Sequence, residues 1–212
     1  MKSAATSTGI LSTPDRDRIL EAMAVCCAEL GYLETTIEVV IERAGVDRGS
    51  FDSHFSGKED CALAALNGII SETLTTVSMA ADGSSELERR TSQIKAVLEL
   101  MQARPAFARL GFLQARQGAS RRAHDGYESA ARVLALMMER AQGAGLRPPA
   151  GAARAALGGG EAVIRRELVA GRDQQLQRLL PDFVYAALVP FVGQREALRQ
   201  SRVAAELVAE EG

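Results

Sequence analysis

Tryptophan is absent, and the six Phe and three Tyr make up only 4% of the 212 residues. Sheet-rich cores draw on aromatic and β-branched side chains. The Ala, Leu, Arg and Glu that dominate this chain favour helix instead. No apolar run reaches the roughly 18 residues of a membrane-spanning helix. The opening MKSAATSTGILSTPDRD lacks the apolar centre of a signal peptide, so a cytoplasmic location is expected. Histidine is limited to His54 and His124, and Cys26, Cys27 and Cys61 have no metal-binding spacing. Nucleophile-elbow, P-loop and zinc-helix motifs are missing. Carboxylates are plentiful but scattered over presumed solvent faces. No catalytic residue, metal or cofactor is therefore expected. The cysteines read as small apolar core residues, with a thiol redox sensor at Cys27 or Cys61 as the alternative.

What the chain does have is a series of sharply punctuated helices. The stretch TTIEVVIERAGVDRGSFDSHFSGK, Thr35 to Lys58, holds the clearest of them. Thr35 and Glu38 have capping-box spacing, and Ile37, Val40, Ile41 and Ala44 share one helical face. Gly45 follows, where a left-handed residue ends a helix. Val46 is expected to plug the turn. Asp47 can cap a second short helix, with Phe51 and Phe55 on its inner face. Gly57 breaks it, and Ser56 with Glu59 forms a further capping pair before the next helix at about Lys58. Two short helices joined by a tight glycine-bearing turn form a helix-turn-helix. In that motif the second helix offers its outer side chains to the major groove of DNA.

The segment from Ile19 to about Leu66 resembles the DNA-binding domain of the tetracycline-repressor (TetR) family. The residues that carry the resemblance are Gly31 with Thr35 and Thr36, Ala44-Gly45-Val46, Gly49-Ser50-Phe51, His54-Phe55 and Lys58-Glu59. It implies an all-α homodimer of about nine or ten helices, with an N-terminal three-helix helix-turn-helix domain and a C-terminal helical bundle. Residues 1–14 would be a disordered arm, 15–60 the domain that binds double-stranded DNA, and 61–212 the ligand-sensing and dimerisation domain. The implied function is transcriptional regulation, as a repressor released by a small-molecule effector. The alternative is a helical sensor or scaffold of the same fold that no longer binds specific DNA.

The expected DNA contacts are Thr36, Arg48, Gly49, Ser50, Ser53, His54 and Lys58. Thr36 can give a phosphate its hydroxyl and backbone N–H, or serve only as a cap. Arg48 can pair with a guanine edge or a phosphate, or form a salt bridge with Asp47 or Asp52. Gly49 permits close backbone approach or simply packing. Ser50 and Ser53 are short donors, His54 can reach phosphate or hold a structural bond, and Lys58 is the expected phosphate anchor. Asp52 departs from the family, which usually has Tyr there. Aspartate repels phosphate, though it can accept from a cytosine amino group. Residues 1–60 also hold six Lys and Arg against eleven Asp and Glu, a net charge of −5. That opposes the phosphate contacts from which DNA affinity usually comes.

Downstream, a long helix from near Lys58 to about Met79 has Leu66, Ile69, Ile70 and Val77 on its apolar face, and in this family it links the two domains. Asp82 to Ser84 is a loop, and Ser85 with Glu88 can cap the next helix. Arg104-Pro105 is a break, with further breaks expected at Gln117-Gly118-Ala119 and from Gly143 to Gly151. Gly158-Gly159-Gly160 lies within an Ala-rich helix, where each Gly costs roughly 1 kcal/mol against Ala. A break or a close helix approach accounts for it, and the resemblance puts this helix in the dimer interface. The last major helix starts near Gln174 or at Pro181, and Pro190 kinks or ends it before a charged helical tail. Met101, Arg104, Phe107, Phe112, His124, Tyr127, Met137 and Met138 are the candidate effector contacts. A Met and aromatic stripe at helical spacing is more often core, and that is the alternative for the apolar members of the set.

Overall fold

The structure, a computed structural model, describes residues 14–80, 83, 85–114, 121–140 and 148–210. The expected arm, the Gln117-Gly118-Ala119 break and Gly143 to Gly145 lie outside the described residues, as do Asp82 and Ser84 of the expected loop. Among the described residues there are ten α-helices and no strand. They are α1 Pro14–Leu30, α2 Ile37–Ala44, α3 Arg48–His54, α4 Lys58–Met79 and α5 Glu86–Ala103, then α6 Pro105–Arg109, α7 Arg121–Arg140, α8 Ala152–Val169, α9 Leu180–Val192 and α10 Gln194–Glu210. A π-helical turn, Leu110–Gln114, extends α6, and a 3-10 segment, Asp173–Leu179, precedes α9. The architecture is all-α, a helix-turn-helix unit followed by a helical bundle.

Local chemistry sets the boundaries. Thr36, not Thr35, caps α2: its hydroxyl accepts from the Val39 N–H. Thr35 is buried, and its hydroxyl donates to the Gly31 carbonyl at 2.8 Å. Gly45 ends α2 at φ 63°, and the Val46 N–H reaches back to the Ile41 carbonyl at 3.1 Å, as a glycine C-cap requires. Asp47 caps α3 by accepting from the Ser50 N–H at 2.7 Å. Before α4, Ser56 pairs with Asp60 rather than Glu59, its N–H donating to Oδ2 at 2.9 Å. The expected capping box on α5 forms between Ser85 and Glu88.

α8 runs unbroken through its three glycines. Gly160 accounts for itself by close approach, since a Cβ there would sit 3.0 Å from Cε1 of Phe183 on α9. Gly158 and Gly159 meet nothing within 4 Å. Pro190 lies within α9, which ends two residues later at Val192 and is capped by Gly193, φ 79°.

α1 packs on α2, α3 and α4 and also on α6, so the N-terminal helices rest directly on the bundle. α4 carries the core from one part to the other. Phe51, Phe55, Met23, Cys61, Leu66, Met101 and Leu180 belong to one continuous buried cluster. α5 sits between α4 and α9, α8 packs on α7 and α9, and α10 lies along α9. No described helix is long and apolar enough to cross a membrane.

Candidate DNA-binding surface and ligand cavity

Phe51 and Phe55 anchor α3 from behind, with ring centroids 5.6 Å apart in the core. Helical geometry then turns Arg48, Gly49, Asp52 and Ser53 outward, and all four are exposed. Ser50 and His54 lie at the edge of that face, half-buried. The Ser50 hydroxyl donates to Asp15 at 2.9 Å, tying α3 to α1. Arg18 first and Ser50 second hold the Asp15 carboxyl below its usual range. Ser53 donates to the Ser50 carbonyl at 2.7 Å, and the His54 ring lies 6.2 Å from that of Phe55. Thr36 is exposed at the start of α2. A Cβ on Gly49 would come 3.2 Å from the Asp47 carboxylate, so the glycine leaves room for the α3 cap.

The cations of this unit are engaged within the chain. Arg48 donates through Nε to Asp52 at 3.0 Å and through Nη1 to Glu38 at 3.2 Å. Arg18 pairs with Asp15, Arg43 pairs with Glu29, and Arg16 lies over the Phe55 ring. Lys58, the expected phosphate anchor, is half-buried. Its Nζ donates to the Tyr32 and Leu33 carbonyls at 3.0 and 3.2 Å and sits 4.5 Å from the Tyr32 ring centroid. An ammonium has three donors, so one remains for an outside acceptor. Pairing within the chain leaves the excess of acids in place, but the pairs themselves cost little to exchange. Arg48, Glu38 and Asp52 have side chains 53%, 71% and 55% exposed, and such pairs contribute about 0–1 kcal/mol.

The bundle encloses a cavity of about 520 Å³ walled by α4 to α9. Of the expected contacts, Met101, Phe107, Phe112 and Tyr127 line it, and Phe112 meets Tyr127 edge-on at 6.4 Å. Arg104 and His124 do not. Arg104 turns to Glu72 and Glu21, with its guanidinium 4.3 Å from the Phe107 ring centroid. His124 lies exposed on α7, off the cavity wall. The side chain of Met137 lies outside the described residues, and Met138 lines the cavity. Further polar groups on the wall, none of them among the expected contacts, are Thr73, Arg90, Gln93, Glu161, Arg166 and Asp182. Arg90 did leave a trace in sequence: it follows Arg89 near the positive end of α5, where cations are disfavoured.

Cys26, Cys27 and Cys61 are free and buried. Burial raises all three thiols, Cys61 to about 12. A thiol sensor needs accessible thiolate, so the core reading of these residues stands.

Residues 19–65 match the family described as bacterial regulatory proteins, tetR family. This segment is a tetR-family domain. It spans most of α1, all of α2 and α3, and the first turns of α4. No curated protein matches the chain by sequence. Among solved structures, the chain resembles the fatty acid degradation regulator FadR from Bacillus halodurans, with a TM-score of 0.73 and 18% identity over 87% of this chain and 98% of that one. It also resembles TylP, a tetR regulator from Streptomyces fradiae, with a TM-score of 0.70 and 19% identity over 93% and 96%. A third is FadR from Bacillus subtilis in complex with stearoyl-CoA, with a TM-score of 0.63 and 16% identity over 84% and 98%. The tetR-like fold therefore extends beyond the matched domain and through the bundle.

Proposed function

We propose that this protein is a homodimeric, cytoplasmic, DNA-binding transcriptional repressor, released from DNA when a small molecule occupies the bundle cavity. The observation that carries the reading is α4. Its first turn adjoins the recognition helix α3, and its later turns, through Leu66, Ile69, Thr73 and Val77, form a wall of the cavity. One rigid rod thus touches both sites. Residues 15–60 serve as the DNA-binding domain and residues 61–212 as the sensing and dimerisation domain. Arg48, Gly49 and Ser53 face the groove, while Thr36, Ser50, His54 and the third donor of Lys58 lie beside them for phosphate. Arg48 exchanges Glu38 and Asp52 for DNA. The open face of α8 at Gly158 and Gly159 suits a second copy of the chain.

A ligand shifts this equilibrium only if it binds the DNA-incompetent arrangement better than the competent one. Phe107 supplies a route. It forms part of the cavity wall, and Arg104 stacks on it while holding Glu72 of α4 and Glu21 of α1. The binding of stearoyl-CoA by the Bacillus subtilis FadR fits a cavity of this apolar character.

The deciding experiment is selection of genomic fragments by the purified full-length protein, followed by salt-titrated binding to the enriched sites. A regulator enriches a recurrent site, binds it with a steep salt dependence, and loses about 1–3 kcal/mol on Arg48→Ala if that residue reads a base. The second reading, a sensor without specific DNA binding, is favoured by the acidic N-terminal unit and its engaged cations. Absence of any enriched site would establish it.

A further inference from the structure

The cavity has two unlike ends. Toward the DNA-binding unit its wall includes Leu66, Phe107 and Phe112. At the far end, where α5 begins and α4 and α7 finish, Arg90 forms part of the wall. Its side chain is only 9% exposed, and burial pulls its proton affinity down. Nε donates to Glu86 at 3.2 Å and Nη2 to the Met138 carbonyl at 2.6 Å. Glu86 is shared, since it also pairs with Arg89 at 2.9 Å. Two cations thus divide one carboxylate. Among the described residues, no hydrogen bond of Nη1 accompanies these. The neighbouring polar groups do not compete for a ligand in the same way, because Thr73 donates to the Ile69 carbonyl at 2.8 Å and Gln93 to the Val77 carbonyl at 3.0 Å.

Guanidinium is a donor-only group that remains charged in proteins. Arg90 is buried with a shared carboxylate and the Phe191 ring, 5.5 Å from its Cζ, and a carboxylate ligand would add two parallel charge-assisted bonds. We infer that the effector is an amphiphilic carboxylate, its charged end on Arg90 and its apolar body running through the cavity toward Phe107 and Phe112. This rests on the reading of the cavity as the effector site and adds the chemical class of the effector. A neutral acceptor, such as an ester or alcohol, would leave Arg90 with the shared Glu86 as its counter-ion.

The test is calorimetric titration of the full-length protein at neutral pH with straight-chain carboxylates of eight to fourteen carbons, the corresponding alcohols and the methyl esters. The carboxylate of best-fitting length is expected to bind at least tenfold tighter than its alcohol and ester. Arg90→Gln should bring acid and alcohol within about twofold, with binding of the alcohol retained as evidence that the cavity is intact. Glu86→Gln keeps Arg90 and removes the competing carboxylate, so it should tighten the acid and leave the alcohol unchanged. Equal binding of acid and alcohol by the wild-type protein, an acid affinity untouched by Arg90→Gln, or no binding by any carboxylate would overturn the inference. DNA release is read separately. Arg90-dependent binding of the acid without release of DNA sinks the repressor reading alone, and equal release by acid and alcohol sinks only the carboxylate.

Discussion

Arg104 and Glu21 meet across 83 positions of chain, Nη2 donating to Oε2 at 3.1 Å. The contact joins the α5–α6 corner to α1, and the same guanidinium holds Glu72 of α4 at 3.2 Å while stacking on Phe107. A residue expected to touch a ligand is instead the strap between the cavity wall and the DNA-binding unit. With side chains 35% and 54% exposed, the pair stabilises the fold by at most about 1 kcal/mol. Arg104→Gln should therefore leave the melting temperature nearly unchanged while speeding amide exchange in α1 and weakening the influence of ligand on DNA affinity. A fall in stability well beyond about 1 kcal/mol, with the coupling intact, would make Arg104 a structural residue and no strap.

Asp52 neutralises Arg48 on the face that approaches DNA. Asp52→Asn removes one repulsive charge and leaves the guanidinium held by Glu38 alone of its two carboxylates. Non-specific DNA binding at low salt should tighten by about 0.5–1 kcal/mol, the scale of an exposed charge interaction. The dependence of affinity on salt should steepen as Arg48 turns to phosphate. Unchanged or weaker binding in a salt titration would count against placing this face in the groove.

The three glycines of α8 separate two physical roles. Gly158→Ala adds a methyl group to space that is open within one subunit, and as far as that subunit alone sets stability it should add about 1 kcal/mol through helix propensity. Gly160→Ala presses on the Phe183 ring at 3.0 Å, so the same gain should be offset or reversed. Chemical denaturation of both variants checks this. If Gly158→Ala destabilises the protein and also makes its melting concentration-dependent, the backbone of a second subunit lies against that face.

Acid stability should report on the end of α8. Two arginines, Arg172 first and Arg166 second, hold the Glu167 carboxyl at about 2 in the folded protein, against an ordinary value of 4.5. The folded state then binds this proton more weakly than the unfolded chain. The contribution is complete above about pH 4.5 and fades as pH falls toward 2. Thermal melts should drop more steeply below pH 4.5 in the wild-type protein than in Glu167→Gln. Parallel profiles would remove Glu167 from the acid response.

How much could be read before the fold was known depends on how far each interaction reaches along the chain. The cap of Asp47 on Ser50, the left-handed Gly45, the Ser85–Glu88 box and the inward Phe51 and Phe55 act over one to four residues, so composition and spacing alone determined the helices and the outward turn of Arg48 and Ser53. The errors at Thr35 and Glu59 were shifts of a single residue between neighbouring polar side chains that compete for one cap. The cavity was a different matter. Whether Arg90 meets the Met138 carbonyl, 48 residues away, or Arg104 faces Glu21 rather than a ligand, is set by where whole helices cross. Periodicity shows that a helix has an apolar face but not which neighbour will cover it, and only packing in three dimensions decided which charge was sealed inside and which was left to bridge two parts of the molecule.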